Sequence, residues 1–147
     1  MRDLLDAAIE SALNAGAEYA DARIVSASWE SVRTYDQQVI GVDRGQQLGI
    51  GIRVRLNGGW GFSTGTHLVE SAVRLLAIEA TELARATSLL ILHHRPLPPA
   101  HPYEAMWSTP VNTDPFSVSI DDRAERLYTA ERAARRMPIV YAVAGQL

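Results

Sequence analysis

The sequence of 147 residues contains no cysteine and no lysine. Without cysteine the chain cannot form a disulfide, a thiolate nucleophile, an iron–sulfur cluster or a cysteine-ligated zinc site. All 14 basic residues are arginines, which pair with planar anions better than lysine does, although codon bias is the simpler explanation. The net charge of -3 gives no reason to expect general binding to nucleic acid or to acidic membranes.

Long apolar runs are also missing. No stretch approaches the roughly 20 apolar residues of a membrane span. The first residues, MRDLLD, are amphipathic and do not resemble the apolar core of a signal peptide. We therefore expect a cytoplasmic protein with no membrane partner, whose length fits one ordinary domain or part of a larger protein.

The first 92 residues predict helices and antiparallel strands. Apolar residues at helical spacing predict a helix over residues 2–15, ended by Gly16. Residues 19–35 and 39–45 are rich in β-branched residues and predict two strands joined by a turn at residues 36–38. Thr66 is a candidate cap for a second helix, which should end near Ser88.

The clearest pattern lies in residues 48–64, LGIGIRVRLNGGWGFST. Apolar residues alternate there with glycine and arginine, and Asn57-Gly58 favours a tight hairpin turn. Trp60 and Phe62 should share one face of the returning strand. Core packing is the simpler interpretation of these two rings. The functional interpretation is contact with a substrate or partner, for which the candidate residues are Arg53, Arg55, Trp60 and Phe62.

The second half of the chain differs from the first in composition. Residues 89–92 predict a short strand, and the proline-rich residues 93–118 predict an extended connection. Ser119 and Asp122 match a capping pattern for a third helix over residues 120–136. Residues 139–145 predict a strand with no return strand after it, which suggests a piece of a longer protein.

These patterns predict an α+β fold, with an antiparallel sheet of three or more strands packed against two or three helices and the chain ending in an incomplete strand. The predicted organisation is an α+β N-terminal domain at 1–92, a connection at 93–118, and a helix with the start of a strand at 119–147. That last segment would lead to a C-terminal domain absent from this sequence.

The sequence contains no recognisable catalytic or metal-binding constellation. His93, His94 and His101 lie in the proline-rich segment without acidic partners at helical spacing, and His67 is isolated. The stretch WGFSTGT lacks the flanking glycines of a nucleophile elbow, and GIGIRVRLNGG lacks the Lys-Ser/Thr end of a P-loop. We therefore assign no catalytic residue and no metal ligand.

Charged residues are interpreted as solvated. The acidic residues of the predicted strands are expected on an exposed sheet face; they are Asp21, Glu30, Asp36 and Asp43. In the third helix, spacings of seven between Glu125 and Arg132 and of four between Glu131 and Arg135 predict exposed ion pairs. A nucleic-acid patch on this arginine-rich helix is the weaker alternative.

The order of the motifs resembles the N-terminal domain of the TldD/PmbA family of metalloproteases, also called the modulator of DNA gyrase family. In that family a Gly-Ala-(Asp/Glu)-Tyr-Ala-Asp-x-Arg segment follows the first helix, as GAEYADAR does at residues 16–23. A Gly-(Val/Ile)-Gly-x-Arg-Val strand then leads to a Trp-Gly-Phe hairpin, here GIGIRV at 49–54 and WGF at 60–62. A later Asp-Pro-Phe, here at 114–116, also matches.

The resemblance implies a function that depends on other parts of a longer protein. Family members carry a zinc site in a C-terminal His-Glu-x-x-x-His helix, which this sequence lacks, so no ligand or catalytic residue is transferred. The resemblance implies a non-catalytic domain that contributes to pairing with a related subunit, as a homodimer or heterodimer, and to a chamber for unfolded peptide substrate. The alternative is a free-standing protein- or peptide-binding module without enzymatic activity.

Overall fold

The computed structural model describes residues 1–93, 95–98 and 101–147. These residues form a four-stranded antiparallel sheet of order β3-β2-β1-β4 and three α-helices, which confirms the predicted α+β class. The elements in chain order are α1 (Arg2–Asn14), β1 (Tyr19–Tyr35), β2 (Gln38–Leu56), β3 (Gly59–Gly65), α2 (Glu70–Ser88), α3 (Ile120–Ala134) and β4 (Ala144–Gln146). Within the described ranges, no helix has the length and apolar character needed to cross a membrane.

The chain forms two compact units. Unit 1 comprises Met1–Ala27 and Gln47–Pro102, and unit 2 comprises Ser28–Gln46 and Tyr103–Leu147. Strands β1 and β2 contribute residues to both units. The domain boundaries proposed from the sequence at residues 92 and 118 stay a prediction.

The core of unit 1 lies between β2 and the helices α1 and α2. Alternate residues of β2 are buried against these helices, as the period of the sequence predicts. The buried cluster consists of Ala8, Ala12, Ile50, Ile52, Val54, Leu56, Val73, Ala77, Ala80 and Ala84. Small alanines on both helices bring the helix backbones close to the sheet, so the aliphatic side chains of β2 fill most of the space between them.

Glycines of β3 bring α2 into direct contact with the strand backbone. A β-carbon added at Gly61 would lie 1.9 Å from the carbonyl oxygen of Ala80, and one added at Gly59 would lie 2.3 Å from that of Ala84. Because side chains alternate along a strand, this close contact places Trp60 and Phe62 on the opposite face. The β2–β3 turn is formed by Asn57 and Gly58, both with positive φ, as predicted for a tight hairpin.

Unit 2 is built around the end of the β1–β2 hairpin. Asp36 and Gln37 form its two-residue turn, with φ of 50° and 60°. Strand β4 pairs with β1 in antiparallel register, and Val32 exchanges two backbone hydrogen bonds of 3.0 Å with Leu147. The C-terminal strand therefore has a partner within the chain.

Several local predictions need correction. Helix α2 begins at Glu70 after Val69, and no side-chain cap is formed by Thr66. Residues 89–92 are exposed and do not form a strand. The two strands predicted at 39–45 and 48–56 are one continuous strand, β2. The predicted cap of α3 is confirmed, because Ser119 Oγ accepts a hydrogen bond of 3.0 Å from the backbone N–H of Asp122.

Candidate functional site: an aromatic–arginine face

The four residues singled out in the sequence lie together on the face of the unit 1 sheet that points away from α1 and α2. In the β2–β3 ladder Arg53 lies opposite Phe62, and Arg55 lies opposite Trp60. Cross-strand partners project on the same side of a sheet. Together with two neighbours from β1, they form what we call the aromatic–arginine face: Tyr19, Asp21, Arg53, Arg55, Trp60 and Phe62.

Trp60 is at the centre of this face. The guanidinium carbons of Arg53 and Arg55 lie 5.3 and 5.9 Å from the centroid of its ring, within the range of cation–π attraction. Tyr19 packs edge-on against the same ring, with centroids 5.9 Å apart and an interplanar angle of 74°. The indole is thereby fixed on three sides while part of its surface stays open.

The two rings are exposed, which corrects the prediction that they pack in the core. Trp60 is 41% and Phe62 is 59% exposed. The physical reason is the glycine contact with α2, which leaves no room for a side chain on the helix side of β3 at Gly59 or Gly61. The aromatic residues must therefore occupy the outer positions of the strand.

Arg53 is held by a carboxylate. It donates hydrogen bonds to Asp21, with the closer nitrogen–oxygen distance 2.7 Å. This hydrogen bond raises the pKa of the Arg53 guanidinium above its ordinary value, and Tyr19 acts in the same direction. The ion pair with Asp21 holds the Arg53 guanidinium beside the indole.

Arg55 has a different environment. Its side chain is buried, with 5% of the residue exposed, and it donates a hydrogen bond to the backbone carbonyl oxygen of Arg95. Its Nε atom is buried and has no hydrogen-bond partner. Within the described ranges, no carboxylate forms an ion pair with Arg55.

In unit 2 the buried polar residues form a second cluster. Arg123 of α3 is buried, and its guanidinium lies 2.6 Å from a carboxylate oxygen of Glu30, which also contacts Arg44. Arg123 donates further hydrogen bonds to the carbonyl oxygens of Pro115 and Val118. A shallow depression of about 540 Å³ lies beside this cluster, between Trp29 and Phe116.

The acidic residues of the strands are all paired with arginines; Asp43 is exposed as expected and Asp36 partly so, whereas the Glu30 side chain is buried and that of Asp21 is largely covered. Asp21 pairs with Arg53, Glu30 with Arg123, Asp36 with Arg135, and Asp43 with Arg33. Each of these four acidic side chains pairs with a different arginine. The arginine content thus has a structural use that composition alone did not reveal.

Glu131 also differs from its predicted role. It does not form the exposed pair expected with Arg135 but is 1% exposed and accepts hydrogen bonds from the Thr34 hydroxyl and the Gln37 N–H. The predicted pair of Glu125 and Arg132 is present on the surface.

The structure offers no metal centre in the residues that it describes. Nowhere in those ranges do three or more His, Cys, Asp or Glu side chains form a group that could hold a metal ion. His67, His93 and His101 belong to these ranges, and His94 lies outside the described residues. The residues present therefore do not fit the zinc site that the resemblance implies for the family.

Part of the chain matches a known protein family. Residues 20–84 match the family described as PmbA/TldA metallopeptidase domain 1. These residues, somewhat under half of the chain, therefore carry the first domain of the PmbA/TldD family. The matched residues include β1, β2, β3 and most of α2, and therefore the whole aromatic–arginine face apart from Tyr19. No curated protein sequence matches this TldD/PmbA domain.

Solved structures share its fold at low sequence identity. A protein described as a modulator of DNA gyrase from Bacteroides thetaiotaomicron matches 99% of this chain with a TM-score of 0.67 and 16% identity. TldE from Thermococcus kodakarensis matches 97% with a TM-score of 0.62 and 14% identity. A further protein described as a modulator of DNA gyrase, from Thermotoga maritima, matches 99% with a TM-score of 0.59 and 14% identity.

The chain is short compared with these proteins. It covers 33%, 32% and 32% of the three matched chains, so it spans about a third of their length. The likeness shows a shared fold. The activity, substrates and partners of a longer protein are therefore matters for proposal.

Proposed function

We propose that this chain works as the non-catalytic N-terminal domain of a zinc metallopeptidase of the TldD/PmbA family. In this proposal the aromatic–arginine face contributes to pairing with a related subunit and to the chamber that receives unfolded peptide. Zinc and the residues that activate water would belong to a C-terminal domain of the parent protein. The domain itself would supply a rigid wall.

The exposure of Trp60 and Phe62 on a regular strand is the observation that carries the proposal. Burying an aromatic side chain stabilises a protein by about 1.5–3 kcal/mol, so leaving two rings in water forgoes a large contribution. Tryptophan, tyrosine and arginine are the residue types enriched at the energetic centres of protein interfaces. The face combines all three on a backbone that packing against α2 holds rigid.

The proposal is tested in the full polypeptide that contains this chain, mixed with its related subunit. We expect the double variant W60A/F62A to keep its fold but to sediment as separate subunits at concentrations where the wild type sediments as a pair. The matched control is W29A, which removes a tryptophan of unit 2 that is 51% exposed, between the values of Trp60 and Phe62. Pairing that survives W60A/F62A but is lost in W29A would overturn the assignment of this face.

A free-standing binding module is the second candidate. The observation that favours it is the pairing of β4 with β1, which gives the last strand of the sequence a hydrogen-bonded neighbour within the chain. The two candidates differ in the coding sequence beyond Leu147. A His-Glu-x-x-x-His motif there supports the metallopeptidase, whereas a stop codon directly after Leu147 supports the module.

A further inference from the structure

We infer that the aromatic–arginine face binds a carboxylate carried by its protein partner, with Arg55 as the principal recognition residue. This inference rests on the proposed function, because it assumes that the face is a contact surface. It adds the chemistry of the partner, which the family assignment does not specify.

The charges around the face do not balance. Arg23 and Arg53 share one carboxylate, that of Asp21, at 3.6 and 2.7 Å. Arg55 adds a third positive charge with no carboxylate of its own in the described part of the chain. Arg23, Arg53 and Arg55 thus bring three positive charges to this region, and the ion pairs described there contain one carboxylate, in a protein whose net charge is -3.

Arg55 is the residue with the least satisfied environment. A buried charge is costly unless it is paired and hydrogen-bonded, yet the guanidinium has an unpartnered Nε and a neutral carbonyl as acceptor. A hydrogen bond to a carboxylate is about twice as strong as one to a neutral acceptor. A partner carboxylate in place of the Arg95 carbonyl would therefore give Arg55 a stronger hydrogen bond.

The group that now covers Arg55 is suited to displacement. Residues 95–98 are exposed and have no regular secondary structure. The Arg95 carbonyl therefore belongs to no helix or strand that its movement would disrupt, and the Trp60 ring lies beside the guanidinium independently of this segment.

The surroundings favour an acidic side chain of a protein over a phosphate group. The open surfaces of Trp60 and Phe62 flank the arginines, and they can accept the apolar neighbours of a glutamate or aspartate. A free phosphate ion has no apolar part to lie against the two rings, so the rings would contribute nothing to binding it. We therefore assign the partner group as a carboxylate with apolar neighbours.

The experiment titrates the chain with two peptides, acetyl-(Glu-Leu)3-amide and acetyl-(Gln-Leu)3-amide, and follows the indole N–H of Trp60 and the Nε–H of Arg55 by NMR. We expect the glutamate peptide to shift both signals, with an affinity that falls as salt is added. The glutamine peptide should bind about tenfold or more weakly, because it lacks the charge-assisted hydrogen bonds. Inorganic phosphate at equal ionic strength should leave both signals unmoved.

Variants separate recognition from folding. R55Q should weaken binding of the glutamate peptide about tenfold, and R55K should also weaken it because the planar donor pair is lost. The control is R132Q, which changes an arginine outside the face that is 47% exposed and already paired with a carboxylate, that of Glu125. Thermal melts show which variants are folded, and R55K keeps the test open if R55Q does not fold.

Equal binding of the two peptides, equal weakening by R132Q, or binding of phosphate alone would overturn the inference. The proposed function fails separately. If R55Q and R55K leave subunit pairing intact while W60A/F62A abolishes it, the face is a contact surface that does not recognise a carboxylate.

Discussion

Gly61 of β3 lies directly beneath Ala80 of α2, so close that a β-carbon on the glycine would be 1.9 Å from the alanine carbonyl oxygen. The contact brings two backbones together without side chains between them. It also determines the outward direction of Trp60 and Phe62 on the same strand. The candidate contact surface is thus a consequence of how the helix packs.

The variant G61A tests this packing. The added methyl would also lie 2.5 Å from the backbone nitrogen of Ala84, so the helix must move and we expect a loss of about 2 kcal/mol or more in the free energy of unfolding. The control is G51A, whose added methyl meets side chains alone, the movable Phe62 ring at 3.1 Å and the Thr64 methyl at 3.8 Å. Chemical denaturation should show a much smaller loss for G51A, and equal losses would contradict the account.

The variant R123M tests the buried ion pair of unit 2. It removes the buried partner of Glu30, whose side chain is 2% exposed, and leaves only the exposed Arg44 to pair with it, so we expect a loss of about 3 kcal/mol in stability. The control R126M changes an exposed arginine of the same helix and should cost about 0.5 kcal/mol or less. The double variant R123M/E30L should recover part of the loss, since it leaves no unpaired carboxylate. A loss for R123M no larger than that for R126M would show that the pair contributes nothing.

The ion pair of Asp36 and Arg135 predicts a dependence on pH. The hydrogen bond from Arg135 lowers the pKa of Asp36 below its ordinary value of 3.8. Since the folded pKa is below the unfolded one, the stabilisation is present above pH 3.8 and is lost as the pH falls through the folded value. The stability difference between the wild type and D36N should therefore be constant near neutrality and shrink in acid.

The control for this titration is the R135Q background. There the difference between Asp36 and D36N should lose most of its dependence on pH, because the principal hydrogen bond is gone. A pH dependence that is unchanged in R135Q would assign the effect to another group.

The strands and helices were predictable where the periodicity is strong. The alternation of Ile50, Ile52 and Val54 with Gly49, Gly51 and Arg53 fixes which side of β2 is buried, and Asn57-Gly58 fixes the turn. The same alternation places Arg53 and Arg55 on one face of β2, and Trp60 and Phe62 on one face of β3. The exposure of Trp60 and Phe62 did not follow, because the sequence of β3 alternates rings with glycines and does not show that α2 packs on the glycine side.

Long-range polar contacts could not be predicted from one sequence. Glu131 contacts Thr34 and Gln37 across more than 90 positions, and Glu30 meets Arg123 across a similar separation. A local rule that pairs residues four apart therefore assigned Glu131 to the surface. One weak signal was available, since Glu131 lies four positions after the buried Leu127 and so on the inward side of α3.

The central claim is that Trp60 and Phe62 form a contact surface covered by another part of the assembled protein. Hydroxyl-radical footprinting tests it most directly, by comparing the oxidation rates of these two rings in the isolated chain and in the full polypeptide paired with its related subunit. The account predicts ready oxidation of both rings in the isolated chain and strong protection in the assembly. Equal oxidation of the two rings in both states would contradict it.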